Sequence, residues 1–263
     1  MKYDDLSIRM KKYEQSTKYK LTPRSFTIIR IDGKAFHTYC KGLEKPFDEG
    51  LIEDMNETTK YLCKNIMGCK LGYTQSDEIT LVLTDFDSLS SEPWFDGTVQ
   101  KIVSVAASYA TSKFNQLRTI RMLEKTQAAY TSVDRIKTNI LAHFDARVFQ
   151  IPFIEEVINN LIWRQQDATR NSIQAVAQSL YSHKQLENKN SSELQEMIFQ
   201  KLINWNDFDE GKKRGRLIIK VEKEVTTDKG TALRNKWEVV ETPIFSTPEA
   251  KELLRTIILP LKQ

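Results

Sequence analysis

The order in which the hydrophobic period changes along the first 151 residues restricts the fold more than any single motif. Phe26-Thr27-Ile28-Ile29-Arg30-Ile31 is an apolar run of strand length that ends on Asp32. Ile52, Met55, Leu62, Cys63 and Ile66 then recur at helical spacing, with few breakers after Gly50. Cys69–Tyr73 and Glu78–Leu83 read as two short strands joined by a tight connection at Thr74-Gln75-Ser76-Asp77, which makes a hairpin. Beyond a polar stretch holding Pro93, the residues Val99, Ile102, Val103, Ala106, Ala110, Lys113, Phe114 and Leu117 repeat at three and four, marking a second long helix. His143–Ile151 reads as strand again. Strand, helix, strand, strand, helix, strand is the split βαβ or ferredoxin-like unit of an α+β fold: one antiparallel four-stranded sheet with both helices on one face.

In that topology the first and third strands are central neighbours, so Asp32 and Asp77 meet in space although 45 positions separate them (77 − 32). Two carboxylates brought together repel unless a cation lies between them, and Mg²⁺ takes oxygen ligands from one or two carboxylates plus substrate phosphates. This is the polymerase-palm arrangement and the core of a two-metal nucleotidyl-transfer site. Arg30 is close enough to Asp32 to be a second partner for its charge. Alone, Asp77-Glu78 reads as a surface hairpin pair; Asp32 is what gives it chemical meaning.

Residues 1–152 are thus expected to form a palm-like catalytic region, with 153–263 as a helical and β-hairpin extension packed on it in one compact unit. In the extension Ile173, Val176, Ala177 and Leu180 predict a helix, and Ser192-Glu193-Leu194-Gln195 has the spacing of a capping box that opens another. Leu217–Val225 and Lys236–Val240 are β-rich and pair across a polar 226–235 loop, while Leu253, Leu254, Ile257, Ile258 and Leu261 predict a final helix. No apolar run is long enough to span a bilayer, and Met1-Lys2-Tyr3-Asp4-Asp5 lacks the apolar segment of a secretion signal, so a cytoplasmic protein is expected. Cys40, Cys63 and Cys69 are odd in number and lack ligand spacing, which predicts reduced thiols. The net charge is a modest +4, yet basic residues cluster within 9–24 and at Lys212-Lys213-Arg214-Gly215-Arg216. Such clusters suit phosphate backbones, and equally suit a solvated face. Trp163-Arg164 suits stacking on RNA bases, and equally suits a tryptophan buried in the core. His143 and His183 read as structural or exposed, and Asp145 and Arg147 as residues that pair across a sheet.

Arg30-Ile31-Asp32-Gly33-Lys34-Ala35-Phe36-His37, Lys45-Pro46-Phe47-Asp48, Tyr73-Thr74-Gln75-Ser76-Asp77-Glu78, Phe144-Asp145-Ala146-Arg147 and Trp163-Arg164-Gln165-Gln166-Asp167 together resemble the tRNA-histidine guanylyltransferase family. The resemblance covers roughly residues 9 to 180. It implies a nucleotidyltransferase that extends RNA in the 3′-to-5′ direction: a nucleoside triphosphate, typically ATP, activates a 5′-phosphorylated tRNA end, and the 3′-hydroxyl of an incoming nucleotide attacks it. It also implies that Asp32, Asp77 and the Gly33 carbonyl hold two Mg²⁺ ions. Arg30, Lys34, Lys45 and Lys101 would bind the triphosphate, with His37, Asp48 and Ser76 beside it. Trp163, Arg164, Asn171, Lys212, Lys213 and Arg214 are candidates for tRNA contact, and a homotetramer is implied by analogy. Eukaryotic members that act on tRNA-histidine carry His-Ile-Asn-Asn after the Trp-Arg-Gln stretch, where this chain has Thr169-Arg170-Asn171-Ser172. That departure favours relatives that repair 5′-truncated tRNA by templated base pairing. The alternatives are guanosine addition to tRNA-histidine alone, and a noncatalytic RNA-binding module on a ferredoxin-like sheet.

Overall fold

The structure, a computed structural model, describes residues 3–129, 141–227 and 230–259. In chain order its main elements are α1 (Tyr3–Gln15), β1 (Phe26–Gly33), α2 (Phe36–Tyr39), α3 (Glu49–Asn65), β2 (Cys69–Gln75) and β3 (Glu78–Leu83). They continue with α4 (Val99–Ala129), β4 (Phe144–Ile151), α5 (Ile154–Leu180), α6 (His183–Leu186), α7 (Ser191–Phe199), α8 (Glu210–Arg214), β5 (Arg216–Thr227), β6 (Gly230–Val240) and α9 (Pro248–Ile258).

All strands belong to one antiparallel sheet of order β4-β1-β3-β2-β5-β6. The first four are the expected ferredoxin-like core. Its sheet is larger than expected because β5 adds to the free edge of β2, pairing Arg216–Ile219 with Thr74–Leu71. Strand alternation sends successive side chains to opposite faces. Ile29, Ile31, Ile79 and Leu81 lie under α3 and α4, packed on Met55, Leu62, Ala106, Ala110 and Phe114. Ile28, Val82, Leu71 and Tyr73 face the other way, where α5 and α9 cover them through Val157, Leu161, Leu254 and Ile258. The two expected helices do share one face; the C-terminal helices seal the second. Each such fully buried aliphatic stabilises the fold by about 1.5–3 kcal/mol, so these two layers outweigh the exposed ion pairs in holding the sheet. α3 and α4 are also braced by a buried Asp54, whose carboxylate accepts from Arg118 (3.1 Å) and Arg121 (2.8 and 3.0 Å).

Three sequence expectations shift in detail. α5 begins at Ile154, far ahead of the Ile173–Leu180 stretch, because its core-facing positions include Arg164, Gln165 and Ser172, which interrupt the apolar pattern. The capping box that opens α7 is Asn190 with Glu193: Asn190 Oδ1 accepts from the Ser192 and Glu193 N–H groups, and Glu193 reaches back to the Asn190 N–H. The polar 226–235 stretch is mostly ladder, since β5 and β6 pair from Leu217–Val240 out to Thr227–Gly230. Leu261, given to the last helix, lies outside the described residues. Cys40, Cys63 and Cys69 are all free thiols.

Candidate active site

Asp32 sits near the end of β1, and Asp77 in the two-residue turn between β2 and β3. The Gly33 N–H donates to the Asp77 carbonyl at 3.2 Å, which ties the end of β1 to that turn. Ser76 holds a left-handed φ of 47°, a backbone that residues other than glycine rarely adopt. Its hydroxyl donates to Asp77 Oδ1 at 2.9 Å. Gly33 has no room for a side chain: a Cβ there would run into the ring of Phe36. That ring is itself held against Tyr39, Phe114 and Phe144 at centroid distances of 4.9, 5.6 and 5.1 Å.

Register makes a charged row across the sheet. Asp32 lies opposite Asp145 on β4 and opposite Glu78 on β3, while Arg30 lies opposite Arg147 and Thr80. Directly opposed residues project from the same face, here the face of α5. Burial pushes the Asp32 carboxyl above the usual range, Asp145 adds to this, and Arg147, Arg30 and Arg164 oppose it. Burial likewise pushes Asp77 up, against the Ser76 hydroxyl, with Asp32 and Glu78 adding repulsion. Glu78 is raised by burial and held down chiefly by Arg164, whose Nη1 donates to Glu78 Oε2 at 2.8 Å. Arg164 also meets Asp167 at 3.2 Å.

Beside the carboxylates lies a cleft of ≈ 410 Å³ between the loop ahead of α3 and the inner side of α5 and α8. His37, Lys45, Asp48, Ser76 and Asp77 line it from the palm side, and Asn171 and Lys212 from the extension. Phe47 stands edge-on to Phe208 at 5.4 Å and so fixes one wall to the other. Asp48 has a structural task as well: it is the N-cap of α3, its Oδ1 accepting from the Leu51 N–H at 2.7 Å. Lys212 is ion-paired with Glu49 and Asp209. Lys34 is exposed next to Gly33, its N–H donating to the His143 carbonyl.

Other predicted residues fall elsewhere. Lys101 lies in the first turn of α4, its ammonium 4.9 Å above the Phe95 ring. That end of α4 is hydrogen-bonded to Tyr19 and Leu21, which precede β1, and an eight-residue strand separates its ends by roughly 25 Å, so Lys101 does not join Asp32 within one chain. Lys213 is buried, its ammonium donating to the Asn206 carbonyl at 2.8 Å and pairing with Glu210. Arg214 pairs with Glu210 and lies over Trp205. Arg164 is buried too, against its reading as a tRNA contact, whereas Trp163 is exposed rather than in the core. Glu78 went unselected, although alternation from Asp32 and the β3 pattern places it on the same face. Arg216, also missed in detail, is a buried cation on the cleft wall, held by Asn56 and the Gly211 carbonyl, and burial pulls its pKa down to about 10. No signal in the sequence separates it from its basic neighbours.

A ferredoxin-like palm carrying paired carboxylates at the β1 end and the β2–β3 turn defines a palm-type nucleotidyltransferase. The model of a family described as tRNAHis guanylyltransferase matches residues 7–152, and the chain belongs to that family. It is similar to a solved bacterial tRNA(His) guanylyltransferase-like protein in complex with ATP, with TM-score 0.81 and 43% identity over 97% of this chain and 99% of the other. The solved tRNA(His) guanylyltransferase of Saccharomyces cerevisiae gives TM-score 0.61 and 26% identity over 84% and 94%. The tRNA(His) guanylyltransferase of Debaryomyces hansenii is 28% identical, over 76% of this chain and 75% of its own length. Membership in an enzyme family removes the noncatalytic RNA-binding alternative. Among the described residues no helix is long and apolar enough to cross a membrane.

Proposed function

We propose that this chain repairs 5′-truncated tRNA by template-directed, 3′-to-5′ nucleotide addition. The observation that carries the reading is the meeting of Asp32 and Asp77 at the mouth of a nucleotide-sized cleft. Among the described residues no three His, Cys, Asp or Glu side chains could enclose a metal ion. Two carboxylates and the Gly33 carbonyl, completed by substrate phosphates, are instead the hard-oxygen set that Mg²⁺ takes. Burial raises both carboxylates, with Asp145 repelling Asp32 and with Asp32 and Glu78 repelling Asp77, and a cation at this oxygen set would relieve that charge, so the residues fit Mg²⁺. When bound, Mg²⁺ would lower the pKa of the attacking hydroxyl and neutralise charge on the leaving pyrophosphate.

The cleft takes the nucleoside triphosphate, with Lys45 and His37 near its phosphates and sugar, Arg30 and Lys34 at the carboxylate edge, and Ser76 orienting Asp77. In the first step an oxygen of the tRNA 5′-phosphate attacks the α-phosphorus of ATP, and pyrophosphate leaves. In the second the 3′-hydroxyl of the incoming nucleotide attacks the activated 5′-phosphorus, and AMP leaves. The repair mode, rather than guanosine addition to tRNA-histidine alone, is supported by the Thr169-Arg170-Asn171-Ser172 departure on α5 and by the higher identity to the bacterial guanylyltransferase-like protein than to the yeast enzyme. The bacterial relatives with ATP and with GTP support both nucleotides as ligands. The reading includes a cytoplasmic setting and a homotetramer, in which a neighbouring copy could bring Lys101 to the site; sedimentation tests the latter.

The experiment is extension of several 5′-monophosphorylated tRNA species, each lacking its first nucleotide, with Mg²⁺, ATP and each nucleoside triphosphate separately. Addition of the complementary nucleotide across species is the expected result. Guanosine addition confined to tRNA-histidine would return the narrower activity.

A further inference from the structure

The carboxylates can be approached from a second side. Beyond the mouth of the cleft, the half-buried Arg30 and Asp32 and the exposed Asp145 and Arg147, themselves paired at 3.7 Å, form an open floor on the α5 face of β1 and β4. Trp163 of α5 has 49% of its surface exposed, and the next residue, Arg164, is paired with Glu78 and lies close enough to Asp32 to act on its charge. An exposed tryptophan is ordinarily mobile, but this one is pinned: the Arg164 guanidinium lies 3.8 Å from its ring centroid. That guanidinium is fixed in turn by Glu78 and Asp167, and Glu78 is the register partner of Asp32. One flat aromatic surface is therefore held at a set position, a single buried guanidinium away from the metal-binding row.

We propose that Trp163 is a stacking platform for the 5′-terminal base of the RNA substrate. The inference rests on the nucleotidyl-transfer reading and adds to it where the RNA end lies: on the open β1–β4 floor, with its phosphate toward Arg30 and Arg147, while the mononucleotide occupies the cleft. The pinned ring tolerates any base because every base has a π-face, which suits an enzyme that acts on ends of varied sequence. Arg164 is a positioning residue in this arrangement, since its charge is committed to Glu78 and Asp167.

The test uses the full chain with catalytically inert Ca²⁺ in place of Mg²⁺, and a 5′-monophosphorylated tRNA lacking its first nucleotide. The same RNA with an abasic 5′-terminal residue is the second probe. Stacking of one base is worth about 5- to 150-fold in affinity. Trp163→Ala is expected to weaken RNA binding by at least about fivefold while the Kd for ATP changes less than twofold, and Trp163→Phe to retain most of the affinity. Unaltered protein should lose as much on the abasic RNA as Trp163→Ala loses on the intact one, and Trp163→Ala should lose nothing further on the abasic RNA. Of the other three tryptophans, Trp94 and Trp205 are buried and Trp237 is half-buried on β6, at the opposite edge of the sheet from β4, so quenching of tryptophan fluorescence by intact RNA should largely vanish in Trp163→Phe. Unchanged RNA affinity in Trp163→Ala, or full affinity of the unaltered protein for the abasic RNA, overturns the platform. Equal loss of RNA and ATP binding also overturns it, because the ring would then act only through Arg164 and Glu78. If the unaltered protein binds neither RNA nor ATP, the nucleotidyl-transfer reading itself fails.

Discussion

Removing Arg164 should expose how the site is held together. The Arg164–Glu78 pair is almost wholly inside the protein, with side chains 7% and 10% exposed and a 2.8 Å contact. Arg164→Met leaves Glu78 buried without its counter-charge, a change that costs about 3–5 kcal/mol. The lower end applies here because Glu78 can take up a proton. About 3 kcal/mol corresponds to a fall in Tm of roughly 6–12 °C for a chain of this length. Glu78→Gln should cost less, about 1–2 kcal/mol, since Arg164 keeps Asp167 at 3.2 Å. The double variant should then be more stable than the sum of the two singles predicts, with a coupling of about 1.5 kcal/mol or more. Arg164 is the main influence holding Glu78 down against burial, so in Arg164→Met the folded-state pKa of Glu78 climbs further above its unfolded value. A carboxyl raised in this way lowers stability as pH rises through its folded pKa. The deficit of Arg164→Met should therefore be small at acid pH and full at alkaline pH. Urea unfolding of the four proteins in chelator at several pH values measures all of this. Additive single effects, or a deficit that grows toward acid pH, would refute the buried-pair argument.

Three further outcomes follow from the geometry. Gly33→Ala should destabilise by about 1–3 kcal/mol through overpacking against Phe36 and should impair nucleotide addition, both read by thermal unfolding and a turnover assay; a neutral Gly33→Ala would show that the strand end has slack. Cys40 is pushed up to about 11, first by burial and then by Asp77 and Asp48, so only about a thousandth of it is thiolate at pH 8; alkylation should be slow and should speed up in Asp77→Asn, as mass spectrometry would report. Asp48→Ala should cost about 1 kcal/mol from the lost N-cap of α3, and Asp48→Ser should recover most of it; if Asp48→Ser recovers stability without restoring the KM for nucleotide, the carboxylate has a separate task in the cleft.

The palm and its carboxylate pair were legible because they depend on element order and strand alternation. Asp32 and Asp77 follow from the neighbourhood of β1 and β3, which the order of periods already dictates. The extension was less legible for physical reasons. Arg164, Gln165 and Ser172 occupy inward positions of α5 where apolar residues would have announced the helix: Arg164 pairs with Glu78 at the site, Ser172 lines the cleft, and Gln165 donates to the Pro243 carbonyl and accepts from the Phe245 N–H ahead of α9. Lys212, Lys213, Arg214 and Arg216 look alike in sequence, yet Lys213 and Arg216 are buried and Lys212 is paired at the cleft. Charge identity does not report direction at a short helix followed by a glycine of φ 79°. Lys101 shows the same limit along a helix: the sequence gives its place in α4 but not which end of the sheet that turn meets.

The most direct test of the account is nucleotide addition to a 5′-truncated, 5′-monophosphorylated tRNA by the unaltered protein and by Asp32→Asn and Asp77→Asn, across a Mg²⁺ titration. The amide is close in size to the carboxylate, and both variants remove charge that burial disfavours, so they should fold at least as stably in chelator. Loss of addition in both, with no rescue by Mg²⁺, is the predicted result. Retention of full, Mg²⁺-dependent addition by either one would contradict the assignment of Asp32 and Asp77 as the metal-binding pair.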